Sequence, residues 1–392
     1  MSIFADPKLG LVPGPVHDRL AEQSRAMAWY DWAGYIAPSV LDSVEFEYFA
    51  LRNQASLFDI SPMHKYRVTG PGAVAMLNRM VTRDIRKIAV GRVGYTLWCD
   101  EAGHVIDDGT LFRLGEDDWR LCCQEPMLSW LDDAAWGFDA TITDESHTVA
   151  GFSLQGPTSF AILEAAGLAL ADLKPFAFAT PEDGLLVSRT GFTGDLGYEL
   201  WCDWDAALPL WDRIWKAGAH RGLRAIGYEA VDIARLEAGF LTAGVDFQPV
   251  HATERLHRGR TPFELGFGRM VDLGKGHFNG RRALLAARAA PRSRLLRLDI
   301  EGFKPARGAL IYDRFNRELG HVTSGVWSPT AKRNIALAHV KMPQAEAHPA
   351  RLWAEIYTHE EGRWTTRMAR ATPMKAPAFA PARARATPPA RF

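Results

Sequence analysis

Residues 105–113, VIDDGTLFR, set two adjacent carboxylates, Asp107 and Asp108, inside an otherwise apolar run. In a strand, neighbouring side chains point to opposite faces, so one of these acids must face whichever side is buried. A buried carboxylate is costly unless something partners it, so one acid is expected to face a polar ligand. A second isolated acid, Glu199, closes the stretch RTGFTGDLGYEL (189–200), in which Gly191, Gly194 and Gly197 recur every third residue. Glycine, having no Cβ, lets the backbone approach a flat ligand or another strand closely. Two such acids suit a ligand carrying several N–H donors, and a pterin ring has that character.

Other chemistries fall away. No Gly-Lys-Ser/Thr phosphate loop, HExxH helix or GxSxG elbow occurs, and His251 and His257 are too loosely spaced to argue a metal, so none is expected. The glycines of Gly70-Pro71-Gly72 lack a third partner at dinucleotide spacing and read as a turn. Lys+Arg and Asp+Glu balance at 46 each, which gives no electrostatic reason for nucleic acid or an anionic membrane. The four cysteines, Cys99, Cys122, Cys123 and Cys202, show no CxxC spacing and read as reduced and buried. No run approaches the roughly 18 apolar residues of a membrane span, and no secretory leader is legible, so a soluble cytoplasmic protein is expected.

The elements that must position these acids follow from pattern. Two hairpins are expected around DEAGH and GEDD between residues 94 and 124, and helices over 126–139, 157–170, 205–222 and 226–239. WYDWAGY (29–35) reads as a core-facing loop or short helix, or as a ligand-facing wall. Strand pairs alternating with packed helices indicate α+β layers over residues 1–290. From 291 to 372, RLLRLDIEG, GALIYD, ELGHVTSGVWS, NIALAHV and RLWAEIYT are closely spaced strands of a separate all-β domain. Residues 373–392, rich in Ala, Pro and Arg, read as a disordered tail.

SLFDISPM, HVIDDGTLF, LQGPT, SRTGFTGDLGYEL, RLEAGF, GHVTSGVWSP and NIALAHV occur in the order found in the aminomethyltransferase (glycine-cleavage T-protein) family, and the chain resembles that family over roughly residues 40 to 345. The resemblance implies two interleaved folate-binding, ferredoxin-like α+β domains and a C-terminal β-barrel-like domain around a central channel, with tetrahydrofolate as cofactor. It implies that Asp108 sits against the folate in the catalytic position and that Glu199 contacts the pterin. Phe192 stands where the family usually has tyrosine, Val231 where T-proteins usually have arginine, and Ala243 where the O-demethylases tend to have tyrosine. DDGTLFR looks most like the aromatic O-demethylase branch, with Arg113 either holding a carboxylate or standing as a solvated strand-end charge.

The reaction expected on that footing moves a methyl group from a small methoxylated, possibly chlorinated, aromatic acid to N5 of tetrahydrofolate. Tyr30, His64, Tyr95 and His251 are candidate donors to the leaving oxygen, and Trp29, Tyr30, Trp32 and Trp98 are candidate walls for a planar substrate. Tyr95, Phe192 and Arg113 are taken with Asp108 and Glu199 as folate-binding residues, and His251 as a substrate residue. The alternatives are aminomethyl transfer in glycine cleavage, which would need a lipoyl carrier protein, and N-demethylation of a methylated amine. KGHFNGRR, with His277 and no cysteine, argues against a folate-binding protein without turnover.

Overall fold

The structure, a computed structural model, describes residues 10–168, 170–347 and 351–390. A small three-stranded sheet (Val12–Pro13, Tyr35–Val40, Ala28–Trp32) and two larger ones share the region before residue 290, and the chain enters one of the larger sheets before building the other. Ala55–Asp59 lies in a six-stranded sheet; the chain then lays down a whole five-stranded sheet between His64 and Asp144, and returns to the first with Val149–Gln155. The six-stranded order is Phe178–Glu182, Leu185–Ser188, Gly197–Asp203, Val149–Gln155, Ala55–Asp59 and Leu223–Ala225. The five-stranded order is Val93–Cys99, Val105–Arg113, Asp118–Cys123, His64–Thr69 and Thr141–Asp144. The first three of these are the two expected hairpins, with Tyr95 opposite Thr110 and Leu97 opposite Asp108.

The helices occupy the expected segments but are shorter, running over Leu128–Ala135, Ser159–Ala165, Ala207–Gly218 and Tyr228–Ala238. The last is stopped by Gly239, whose φ of 75° gives the left-handed C-cap. Ala207–Gly218 buries Leu210, Trp211 and Ile214 on the six-stranded sheet, where Trp211 meets Phe152 edge-on at 5.3 Å. Tyr228–Ala238 instead packs against Val44–Asn53 and is buried along most of its length. WYDWAGY is neither loop nor helix but part of a hairpin, Ala28–Trp32 with Tyr35–Val40, turned at Ala33 and Gly34, both with positive φ.

Six strands close the C-terminal barrel around Leu298, Ile311, Val322, Ala338 and Ile356. The sixth, Arg363–Pro373, has no clear apolar alternation and was not among the strands expected from sequence. Residues 373–390 are not a disordered tail. Phe379 donates its N–H to the Glu237 carbonyl at 3.0 Å, and Arg383 forms a two-bond pair with buried Asp195, so local polar contacts order a segment without periodicity. No helix among the described residues is long and apolar enough to cross a membrane.

Candidate functional site

The two sheets, the hairpin of residues 28–40, the helix Tyr228–Ala238 and the loops over 239–245 and 267–272 enclose a cavity of about 1330 Å³. Strand parity decides which acid reaches it. Asp108 lines the cavity, while Asp107 points the other way, fully buried, and accepts only the Glu125 N–H at 3.0 Å. Burial first, and Asp108 second, push the Asp107 carboxyl well above its ordinary range. Asp108 accepts a short hydrogen bond from the Tyr95 hydroxyl on one oxygen, and burial lifts its carboxyl to about 6 although that bond opposes the shift.

Across the cavity, Glu199 accepts from the Thr190 hydroxyl at 2.6 Å, and Ser188 joins the same hydroxyl at 2.6 Å. Burial raises Glu199 to about 7. Both carboxylates line the cavity, where an acceptor suits N–H donors of a bound ring. A stack of Tyr30, Trp32 and Phe58, with centroids 6.3 and 5.7 Å apart and planes within 20°, makes one wall, and Tyr228 closes on Tyr30 at 5.6 Å. Phe192 stacks on Phe240 at another side, 5.7 Å away. At the rim stand Arg83, Lys87, Arg92 and Arg269.

Five expected site residues are elsewhere. Trp29 lies on the opposite face of its strand from Tyr30 and Trp32, in the core beside Leu20 and 5.1 Å from His17. The same parity sends Trp98 away from Tyr95 and into the core of the five-stranded sheet. Arg113 does not line the cavity and is not fully solvated: it donates to the Ile88 carbonyl at 2.8 Å and lies 5.2 Å from the Trp119 ring. His64 stacks on Tyr66 away from the cavity, its imidazole held below the ordinary range by burial. His251 is exposed on a short turn anchored by Val250 and does not line the cavity.

Of the two close approaches expected of the glycines, the structure shows the one to protein. A Cβ at Gly191 or Gly197 would overlap the side-chain amide of Gln155 on the neighbouring strand, and one at Gly194, where φ is 72°, would come within 2.5 Å of the Ala238 Cβ. Gly191 also lines the cavity. Gln155 fills the space beside Gly191 and Gly197, donating to the Thr190 carbonyl at 3.2 Å and accepting from the Thr193 hydroxyl at 2.9 Å, and so fixes the loop that carries Thr190.

Comparison with known proteins agrees with this architecture. Residues 16–275 match the GCVT N-terminal domain, and residues 293–379 match the glycine cleavage T-protein C-terminal barrel domain. The chain is 36% identical over 341 residues to an aminomethyltransferase of Streptomyces avermitilis, covering 83% of this chain and 89% of that protein. The chain belongs to the aminomethyltransferase family. It is also 33% identical over 365 residues to a trimethylamine-oxide aldolase of Ruegeria pomeroyi, covering 87% of this chain and 44% of that larger protein. The solved aminomethyltransferase T of the glycine cleavage system from Bartonella henselae superposes with a TM-score of 0.82 at 26% identity, covering 94% of this chain and 98% of that one.

As a member of the aminomethyltransferase family, the protein is a folate-dependent transferase, and the family uses tetrahydrofolate. All three departures from the family pattern, Phe192, Val231 and Ala243, lie on the cavity wall. Val231 packs in one apolar cluster with Trp32 and Phe58. Sequence reading assigned no role to Gln155, Phe58, Tyr228, Phe240 or the rim cations. Gln155 stood inside the quoted LQGPT motif, but its partners lie 35 to 43 residues away and have no local signature.

Proposed function

We propose that the protein transfers a one-carbon unit from an amine donor to tetrahydrofolate, yielding 5,10-methylenetetrahydrofolate. The observation that carries this reading is Asp108, a cavity-facing carboxylate held at one oxygen by Tyr95 in a chamber whose described lining contains no histidine. A cationic amine is attracted by that carboxylate, and the pairing strengthens where water is excluded. O-demethylation of a methoxylated aromatic acid, the reaction expected from sequence, asks instead for a proton donor at the departing oxygen and an anchor for the acid. Arg113, His64 and His251 do not line the cavity and the Tyr95 hydroxyl is committed to Asp108, so of the donors expected from sequence only Tyr30 stands on the cavity wall for that reaction. Relatives named for aminomethyl transfer and for trimethylamine oxide share a carbon bound to nitrogen.

The cavity residues fit tetrahydrofolate: Glu199 offers an acceptor to pterin N–H groups, Tyr30, Trp32 and Phe58 give a flat wall, and Arg83, Arg92 and Arg269 stand ready for its carboxylates. When bound, tetrahydrofolate supplies the two nitrogens that receive the carbon. Asp108 orients the donor ammonium beside them, a near-attack arrangement. With an aminomethyl thioether as donor the balance closes without an oxidant: the C–S and C–N bonds break, and the two protons released go to the thiol and to ammonia. A lipoyl-bearing carrier protein would present such a donor. Anaerobic incubation with tetrahydrofolate and a panel of aminomethylated carrier, methylated amines and methoxybenzoates, read by mass spectrometry, tests the reading. It predicts 5,10-methylenetetrahydrofolate from the aminomethylated carrier, the one donor of the panel already at the oxidation level of the product; 5-methyltetrahydrofolate with a phenol would reinstate O-demethylation.

A further inference from the structure

The loop that carries Thr190 and Phe192 into the cavity is gripped at both ends by residues beyond the barrel. At its start, Arg189, 3% exposed, donates to the Ala386 carbonyl at 2.6 Å, the Thr387 hydroxyl at 2.9 Å and the Ala384 carbonyl at 3.4 Å. At its end, Arg383 donates Nε and a terminal nitrogen to the two oxygens of Asp195 at 2.7 and 2.8 Å, a fork on a carboxylate with no exposed side-chain surface. The Phe379 ring lies 4.0 Å from the Arg52 guanidinium. Arg52 in turn donates to the Thr193 carbonyl at 2.9 Å and reaches Asp195 at 3.6 Å. Between the two grips lie Thr190, Gly191, Phe192 and Thr193, all lining the cavity, with Thr190 bonded to Glu199. The barrel domain match covers residues 293–379, so Arg383 and Thr387 lie beyond the matched residues.

We infer that residues 379–387 form a clasp that fixes the 189–195 loop in its folate-binding geometry, with Arg383 as a positioning residue acting through Asp195. A planar fork on a carboxylate sets orientation as well as distance, which a lysine's point charge does not. A binding loop whose supporting contacts are lost moves by fractions of an ångström and costs the ligand its aligned acceptor. The inference rests on the folate site alone and not on the identity of the amine donor.

The test measures amide hydrogen exchange and tetrahydrofolate binding by anaerobic calorimetry, neither of which needs a methyl donor. Arg383→Ala is expected to speed exchange over residues 190–194 about tenfold while the barrel strand Arg333–Lys341 keeps its protection. Tetrahydrofolate Kd should weaken about tenfold. Arg383→Lys should fall between, restoring charge without the fork. Thr387→Val removes one acceptor from Arg189 with little change of shape, and carries the test if Arg383→Ala does not fold; it should speed exchange over 190–194 by about threefold. Unchanged loop exchange and Kd, or acceleration that spreads equally to the barrel strand, overturns the clasp.

Discussion

At the scale of single residues, the account turns on two cavity-facing acids held near neutrality by burial. Asp108→Asn removes the charge and keeps the shape; kcat is expected to fall about 100-fold to 10,000-fold in steady-state assays, with the melting temperature unchanged or raised. Glu199, lifted to about 7, accepts pterin N–H groups best when ionised, so tetrahydrofolate affinity should rise as pH rises through about 7. Glu199→Gln should abolish that pH dependence in calorimetric titrations. The stability sign is opposite. These acids bind protons more tightly folded than unfolded, so they favour the folded state most at low pH, and that advantage is lost as pH rises through their folded values of about 6 and 7. Denaturant melts should show Glu199→Gln stabilising the ligand-free protein more at pH 8 than at pH 5. Asp108, Glu199, Tyr95, Tyr30, Trp32 and Phe192, named from sequence, do line the cavity; strand parity alone required only that one acid of the pair face inward, and the family resemblance pointed to Asp108. The places of Trp29, Trp98 and Arg113 were not legible, because sequence shows that a strand alternates without showing which face meets the cavity.

At the scale of elements, the glycine-rich loop shows a motif whose partner the sequence left open between ligand and strand. Three glycines in seven residues do mark close approach, and what approaches is Gln155, from a strand some 35 residues earlier, and Ala238 from the helix behind. Gly197→Ala should therefore destabilise by about 1–3 kcal/mol through overpacking, measured by denaturant unfolding. Adding Gln155→Ala should recover most of that loss, a coupling expected only between neighbours. The hairpins of residues 93–123 and the helix segments were readable because their contacts are local. The hairpin of residues 28–40 was missed because its four aromatic residues obscure the alternation that its turn at Ala33 and Gly34 creates.

At the scale of the whole molecule, the barrel contributes no residue to the cavity lining yet holds part of its wall. Buried Asp246 accepts from Arg235 at 2.5 Å, from the barrel's Thr323 and Ser324 at 2.7 Å each, and from the Thr242 N–H at 2.9 Å, fixing the loop that carries Thr242, Ala243 and Val245. Asp246→Ala leaves Arg235 buried without its main partner and should cost about 3–5 kcal/mol, read by chemical denaturation. The two-part division of the chain was legible from its change to short strands near residue 291; the polar joint between the parts was not, since its donors and acceptor lie 77 and 78 residues apart. The most direct test of amine-derived transfer is a single-turnover reaction with an aminomethyl thioether donor carrying ¹³C at the transferable carbon, followed by NMR. Label arriving between the two folate nitrogens as a methylene, in wild type and not in Asp108→Asn, is the predicted result. Label arriving as a methyl on N5, or arriving equally in both proteins, would contradict it.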